Sequence, residues 1–148
     1  MLATLRIRRG SYRCLAAILL IGLASSARAD IAISNKSSAG AQATASAAAL
    51  TGVLYRACKV SATVAADATG VTGIMTLNLR DGATGAGTVL WNIVLSTGAS
   101  STVGIQTPNL NILGSPGTAM TIEFAAGATN SGVETVNLTL VPGRQCDP

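Results

Sequence analysis

Residues 75–96 read MTLNLRDGATGAGTVLWNIVLS, and this run decides the fold class. Met75, Leu77 and Leu79 alternate with Thr76, Asn78 and Arg80, the period of two that marks a strand with one buried face. Asp81-Gly82 ends it with turn chemistry: the Asp side chain bonds nearby backbone, and Gly reaches conformations closed to other residues. After the loop ATGAG (83–87) comes TVLWNIVLS (88–96), a nearly continuous apolar run that suits a central strand. Gly82, Gly85 and Gly87 resemble a phosphate-binding loop in spacing, but such a loop works by opening a helix whose N-terminus meets the phosphate. A strand follows here, so the glycines read as hairpin material.

The same texture extends in both directions. In LYRACKVSATV (54–64), Leu54, Cys58, Val60, Ala62 and Val64 share one parity, with Lys59, Ser61 and Thr63 on the other. The turn Asp67-Ala68-Thr69-Gly70 follows. Beyond residue 96, STVGIQT (101–107) and NLNIL (109–113) are shorter strand candidates. TAMTIEFAAG (118–127) alternates Met120, Ile122 and Phe124, and VETVNLTLV (133–141) alternates Val136, Leu138 and Leu140 before Pro142-Gly143. With a further strand at Ile31–Ser34, about eight strands recur at intervals of roughly ten residues with no helix between them. That spacing predicts an all-β fold: one antiparallel β-sandwich, jelly-roll-like. An immunoglobulin-like sandwich is the second topology the pattern allows.

The N-terminus reads as an export signal. Arg6, Arg8, Arg9 and Arg13 precede an uncharged run from Cys14 to Ala24, and Ala27-Arg28-Ala29 offers small residues for cleavage before Asp30. The run is shorter than the roughly 20 apolar residues of a membrane span, so contact with the membrane is expected only through residues 1–29 before cleavage. Sec and twin-arginine export both remain open. Residues 30–50, with the small-residue stretch SSAGAQATASAAA at 37–49, are expected to form an extended arm or linker leading into a domain at 51–148.

Cleavage changes the charge. The chain holds ten basic and six acidic residues, for +4. Five of the basic residues lie before Asp30, leaving five against six, a net charge of −1. The cluster of Lys and Arg that nucleic-acid binding requires is missing from that remainder. It retains two cysteines, Cys58 and Cys146, which an oxidising compartment would join.

Candidates for chemistry are few. The chain has no histidine, which removes the commonest general base and most zinc and copper ligand sets. Lys36 and Lys59 read as solvated surface charges. A carboxylate pair could serve glycoside hydrolysis, but Asp67 and Asp81 sit in turns and Glu123, between Ile122 and Phe124, points to the outer face. No cofactor and no metal site are expected, and no catalytic residue is assigned. Asn35-Lys36-Ser37 and Asn137-Leu138-Thr139 match the glycosylation sequon. Trp91 reads as core, with a contact to a glycan as the alternative if its ring is exposed. The outward rows of Thr, Ser, Asn and Ala lack the charges that defend sheet edges in soluble monomers, which points to partners at those edges.

Gly52-Val53-Leu54-Tyr55-Arg56, Leu79-Arg80-Asp81-Gly82 and Gly87-Thr88-Val89-Leu90 together form a pattern that resembles the small β-sandwich domains of tailed-phage head-decoration and fibre proteins. The likeness spans Thr51–Val141. It implies a jelly-roll-like, usually trimeric, non-enzymatic surface module. The residues themselves support an exported, self-associating structural or interaction module, located outside the cytoplasm in the periplasm, at the cell surface or in the medium. A fimbrial subunit that lends its 30–50 arm to a neighbour's sheet and a glycan-binding module are the alternatives.

Overall fold

The computed structural model describes residues 29–38, 41–66, 73–125 and 132–147. The expected signal segment, apart from Ala29, and the expected turn at 67–70 lie outside them. The described residues form nine strands: β1 (Ile31–Lys36), β2 (Thr44–Ala47), β3 (Tyr55–Ala65), β4 (Gly73–Asp81), β5 (Thr88–Thr97), β6 (Thr102–Thr107), β7 (Ile112–Leu113), β8 (Met120–Phe124) and β9 (Val133–Pro142). Two sheets result, one ordered β1-β9-β3-β6 with the two-residue β7 also on β3, the other ordered β2-β8-β4-β5. Every pairing is antiparallel.

This order is that of one long hairpin rolled up. β4 pairs with β5, β3 with β6, β2 with β8 and β1 with β9, so the two halves of the chain run alongside each other from the turn at 82–87 outward. Rolling the hairpin then adds β9 to β3 and β8 to β4. The result is a jelly roll, two Greek keys closed over one core, and not the immunoglobulin order. The 75–96 stretch is the tip of the hairpin from which the roll is wound.

The core lies between the sheets. Met75, Leu77, Leu79, Met120, Ile122 and Phe124 from one sheet face Val60, Val64, Val136, Leu138 and Leu140 from the other, all essentially inaccessible to solvent. The alternations read along β4, β8 and β9 therefore hold residue by residue.

Three expectations change. Residues 30–50 are extended, but they form β1 and β2 and complete both sheets of their own chain instead of leading into the domain. Ala43, Ala45 and Ala47 are buried there: small side chains on alternate positions let this segment lie close on the core, which a reading that sought large apolar residues overlooked. β5 is not central but an edge strand, paired only with β4. The inward parity of β3 also shifts. Its register against β9 slips between Ala57 and Lys59, so Tyr55 and Ala57 precede a bulge and Val60, Ala62 and Val64 follow it in the core. Cys58 is the extra residue of that bulge and lies outside the core cluster.

Candidate assembly surface

The carboxylates of the described residues are engaged within the fold. Glu123 does lie on the outer face of its sheet, as expected, yet it is buried because the 82–87 loop folds over it. Arg80 Nε donates to Glu123 Oε1, and Gly85 N–H donates to Oε2 at 2.8 Å. Beside them Thr121 Oγ1 donates to Gly82 O at 2.7 Å and lies 2.7 Å from Ser46 Oγ. Asp81 accepts from Ser115 N–H at 3.0 Å. Glu134, buried near the start of β9, accepts from Ala43 N–H at 2.9 Å. Its burial pushes the carboxyl above the usual 4.5, an effect the Ala43 hydrogen bond opposes. Asp30 and Asp147 both pair with Arg144. Among the described residues no group of three or more His, Cys, Asp or Glu side chains is placed to hold a metal ion.

Cys58 and Cys146 are bonded, with Cα atoms 5.4 Å apart across 88 positions of sequence. The bulge on β3 makes this reachable: an in-register residue with inward parity would face the core, whereas the extra residue turns to meet the tail beyond β9. Next to the bridge an open depression of about 180 Å³ is lined by Leu54, Arg56, Leu113, Gly143, Arg144 and Gln145. Arg56 is held there by Arg144 O at 3.0 Å and Asn111 Oδ1 at 2.9 Å, so part of its donor capacity is already met by the chain itself.

Trp91 lies in the inward row of β5 and packs half-buried against the core. Lys59 is exposed on β3, as expected, and Lys36 is exposed at the end of β1.

The least defended surface is the flank that carries β5 and β6. Among the described residues each of these strands has one neighbour, β4 and β3 respectively, and the second edge of each is unpaired. From Gly82 through Ile122 the chain contains no Asp, Glu, Lys or Arg, so neither edge carries a charge of its own. Native edges are normally protected by charge, proline or shortness, and β5 has ten residues with no proline. Val94 is 56% exposed and Val89 38%, and Ile74 on the neighbouring β4 is 75% exposed. The opposite flank differs: β1 ends at Lys36, β2 has four residues, and Glu134 binds the connection between them through Ala43 and Ser37. Sequence reasoning placed β5 in mid-sheet and so missed this flank, although the 41-residue uncharged run was there to be read.

No family model and no curated protein matches the chain. Among solved structures it is similar to an arabinose-bound α-L-arabinofuranosidase, at 13% identity and a TM-score of 0.36 over 76% of this chain and 19% of that one. It is also similar to a subunit of Bacillus endospore appendages, described as a novel family of disulfide-linked pili, at 18% identity and a TM-score of 0.28 over 76% of this chain and 88% of that one. The chain thus spans about a fifth of the first protein's length. At these TM-scores neither likeness decides anything about this chain's role.

Proposed function

We propose that this chain is an exported, non-catalytic structural module that self-associates at a cell or particle surface. The observation that carries the reading is the uncharged flank of β5 and β6, an edge without charge or proline to oppose strand pairing over Trp91–Thr97. The Cys58–Cys146 bridge supports a site of action in an oxidising compartment outside the cytoplasm. The engagement of each described carboxylate with a partner inside the fold supports a structural use of those residues. Exchange of the 30–50 segment between subunits is the less economical form of assembly, because β1 and β2 already pair within their own chain and would have to open first.

The test is light scattering on residues 30–148, purified with the disulfide intact, over a wide concentration range. A mass that rises with concentration is expected. A monomer at every concentration would overturn the reading.

A further inference from the structure

We infer that the partner of the β5 edge is a second copy of this chain, joined by antiparallel β5–β5 pairing about a two-fold axis. The inference rests on the self-association proposed above and specifies its geometry. Four edges are open in principle. β2 has four residues, β1 ends in Lys36, and β6 has six residues including Gly104. β5 has ten, all uncharged, six of them β-branched or aromatic.

The symmetry argues for a copy over a foreign strand. An isologous contact sets each residue against its own kind or a near neighbour's, so a row of like charges would repel itself. A charge-free row tolerates that arrangement and offers a foreign partner no charge to recognise. The two-fold axis of an antiparallel strand pair stands perpendicular to the sheet. The β4-β5 sheet would therefore extend into its counterpart, and the β6 edges would meet alongside. The seven residues Trp91–Thr97 that pair regularly run about 24 Å, and two sheets about 10 Å apart present a flank about 20 Å thick once outward side chains are included. That is about 480 Å² per copy, or about 1,000 Å² in all, the size of a weak, concentration-dependent interface.

The register follows from the β4–β5 ladder. Its irregularity falls between Leu79 and Arg80, opposite Leu90, and Trp91–Thr97 pair one for one with Leu79–Gly73. The midpoint of that regular run is Val94. Centred there, Val94 meets Val94 of the second copy on the axis, burying a side chain that is more than half exposed in one chain. Ile93 then lies opposite Leu95 and continues the core, and Asn92 lies opposite Ser96 on the outer face. Half-buried Trp91 is covered next to Thr97.

Three variants test it: Val94→Cys, Ile74→Cys and Val94→Lys, all at exposed positions. A short bis-maleimide, which the bridged Cys58 and Cys146 do not take up, should link V94C to itself. It should leave I74C unlinked, since two β4 strands would stand three strand spacings apart, about 14 Å. V94K sets two like charges against each other on the axis and should weaken dimerisation roughly a hundredfold by sedimentation equilibrium. If the parent chain self-associates while V94C fails to link and V94K leaves the association unchanged, the β5 pairing is wrong and self-association survives. A parent chain that stays monomeric removes both.

Discussion

Two side chains show how local the energetics of this fold are. Thr97 Oγ1, at the end of β5, is the buried side-chain oxygen among the described residues that lacks a hydrogen-bond partner. A hydroxyl in that position costs free energy that a methyl group of the same shape does not, so Thr97→Val should raise stability by about 1 kcal/mol. Urea titration would show it as a higher midpoint at unchanged slope; a loss of stability would mean that the hydroxyl has a partner. Glu134 titrates in the opposite sense from a salt-bridged acid. Burial raises its folded pKa above 4.5. The group therefore contributes stability that is fully present below the unfolded value and is lost as pH rises through the folded one. Glu134→Gln removes that dependence while keeping an acceptor for Ala43 N–H. The variant's stability relative to its parent should improve from pH 4.5 toward neutrality, by denaturation at both ends of that window. A flat or reversed difference would contradict the sign.

At the scale of elements, the 82–87 loop ties the outer face of one sheet together. Arg80 and Gly85 N–H converge on Glu123, and Thr121 reaches back to Gly82. The turn itself needs glycine at position 87, where φ is +79° and an added Cβ would stand 2.2 Å from Asp81 O. Gly87→Ala should therefore cost more than about 1 kcal/mol and should raise hydrogen exchange first at Gly82–Thr88. A uniform loss across both sheets would place the strain elsewhere. The loop was legible as a hairpin because glycines and a following strand are local signals. The same holds for β4, β8 and β9, where alternation survives intact into the structure. What was not legible depends on partners distant in sequence. Glu123 is an outward residue by parity, and only the overlying loop makes it buried. Cys58 looked inward by parity, and only a bulge set by the β9 register turns it to Cys146. β5 looked central because it is apolar on both faces, but strand order is a property of the whole roll. Residues 30–50 looked like an arm because Ala buries little area, yet alanines at 43, 45 and 47 are what let this segment lie beside β8 with its inner face on the core.

For the whole molecule, the disulfide and the roll solve the same problem from two ends. The roll pairs the first strands with the last, β1 with β9 and β2 with β8, so folding must bring the chain's two halves together over long separations. Closing such contacts costs loop entropy before they return any packing. Cys58–Cys146 spans 88 positions and holds β3 to the tail that follows β9 even in the unfolded chain. For a loop of that size the constraint is worth about 4–5 kcal/mol, a large share of the 5–15 kcal/mol typical of a whole domain. The native tail has other ties, with Gly143 N–H on Leu54 O at 2.8 Å and Arg144 paired to Asp30, so the fold itself does not require the bond. The double variant Cys58→Ser, Cys146→Ser should accordingly keep the far-ultraviolet dichroism of an all-β protein at low temperature. Its melting temperature should fall by roughly 12–25 °C, given about 3–5 °C per kcal/mol at this size. Reduction of the parent chain should reproduce that fall. An unchanged melting temperature in both would mean that the unfolded chain gains no freedom when the bridge opens. The stability of the roll would then have to rest on its core and on the pairing of its halves alone.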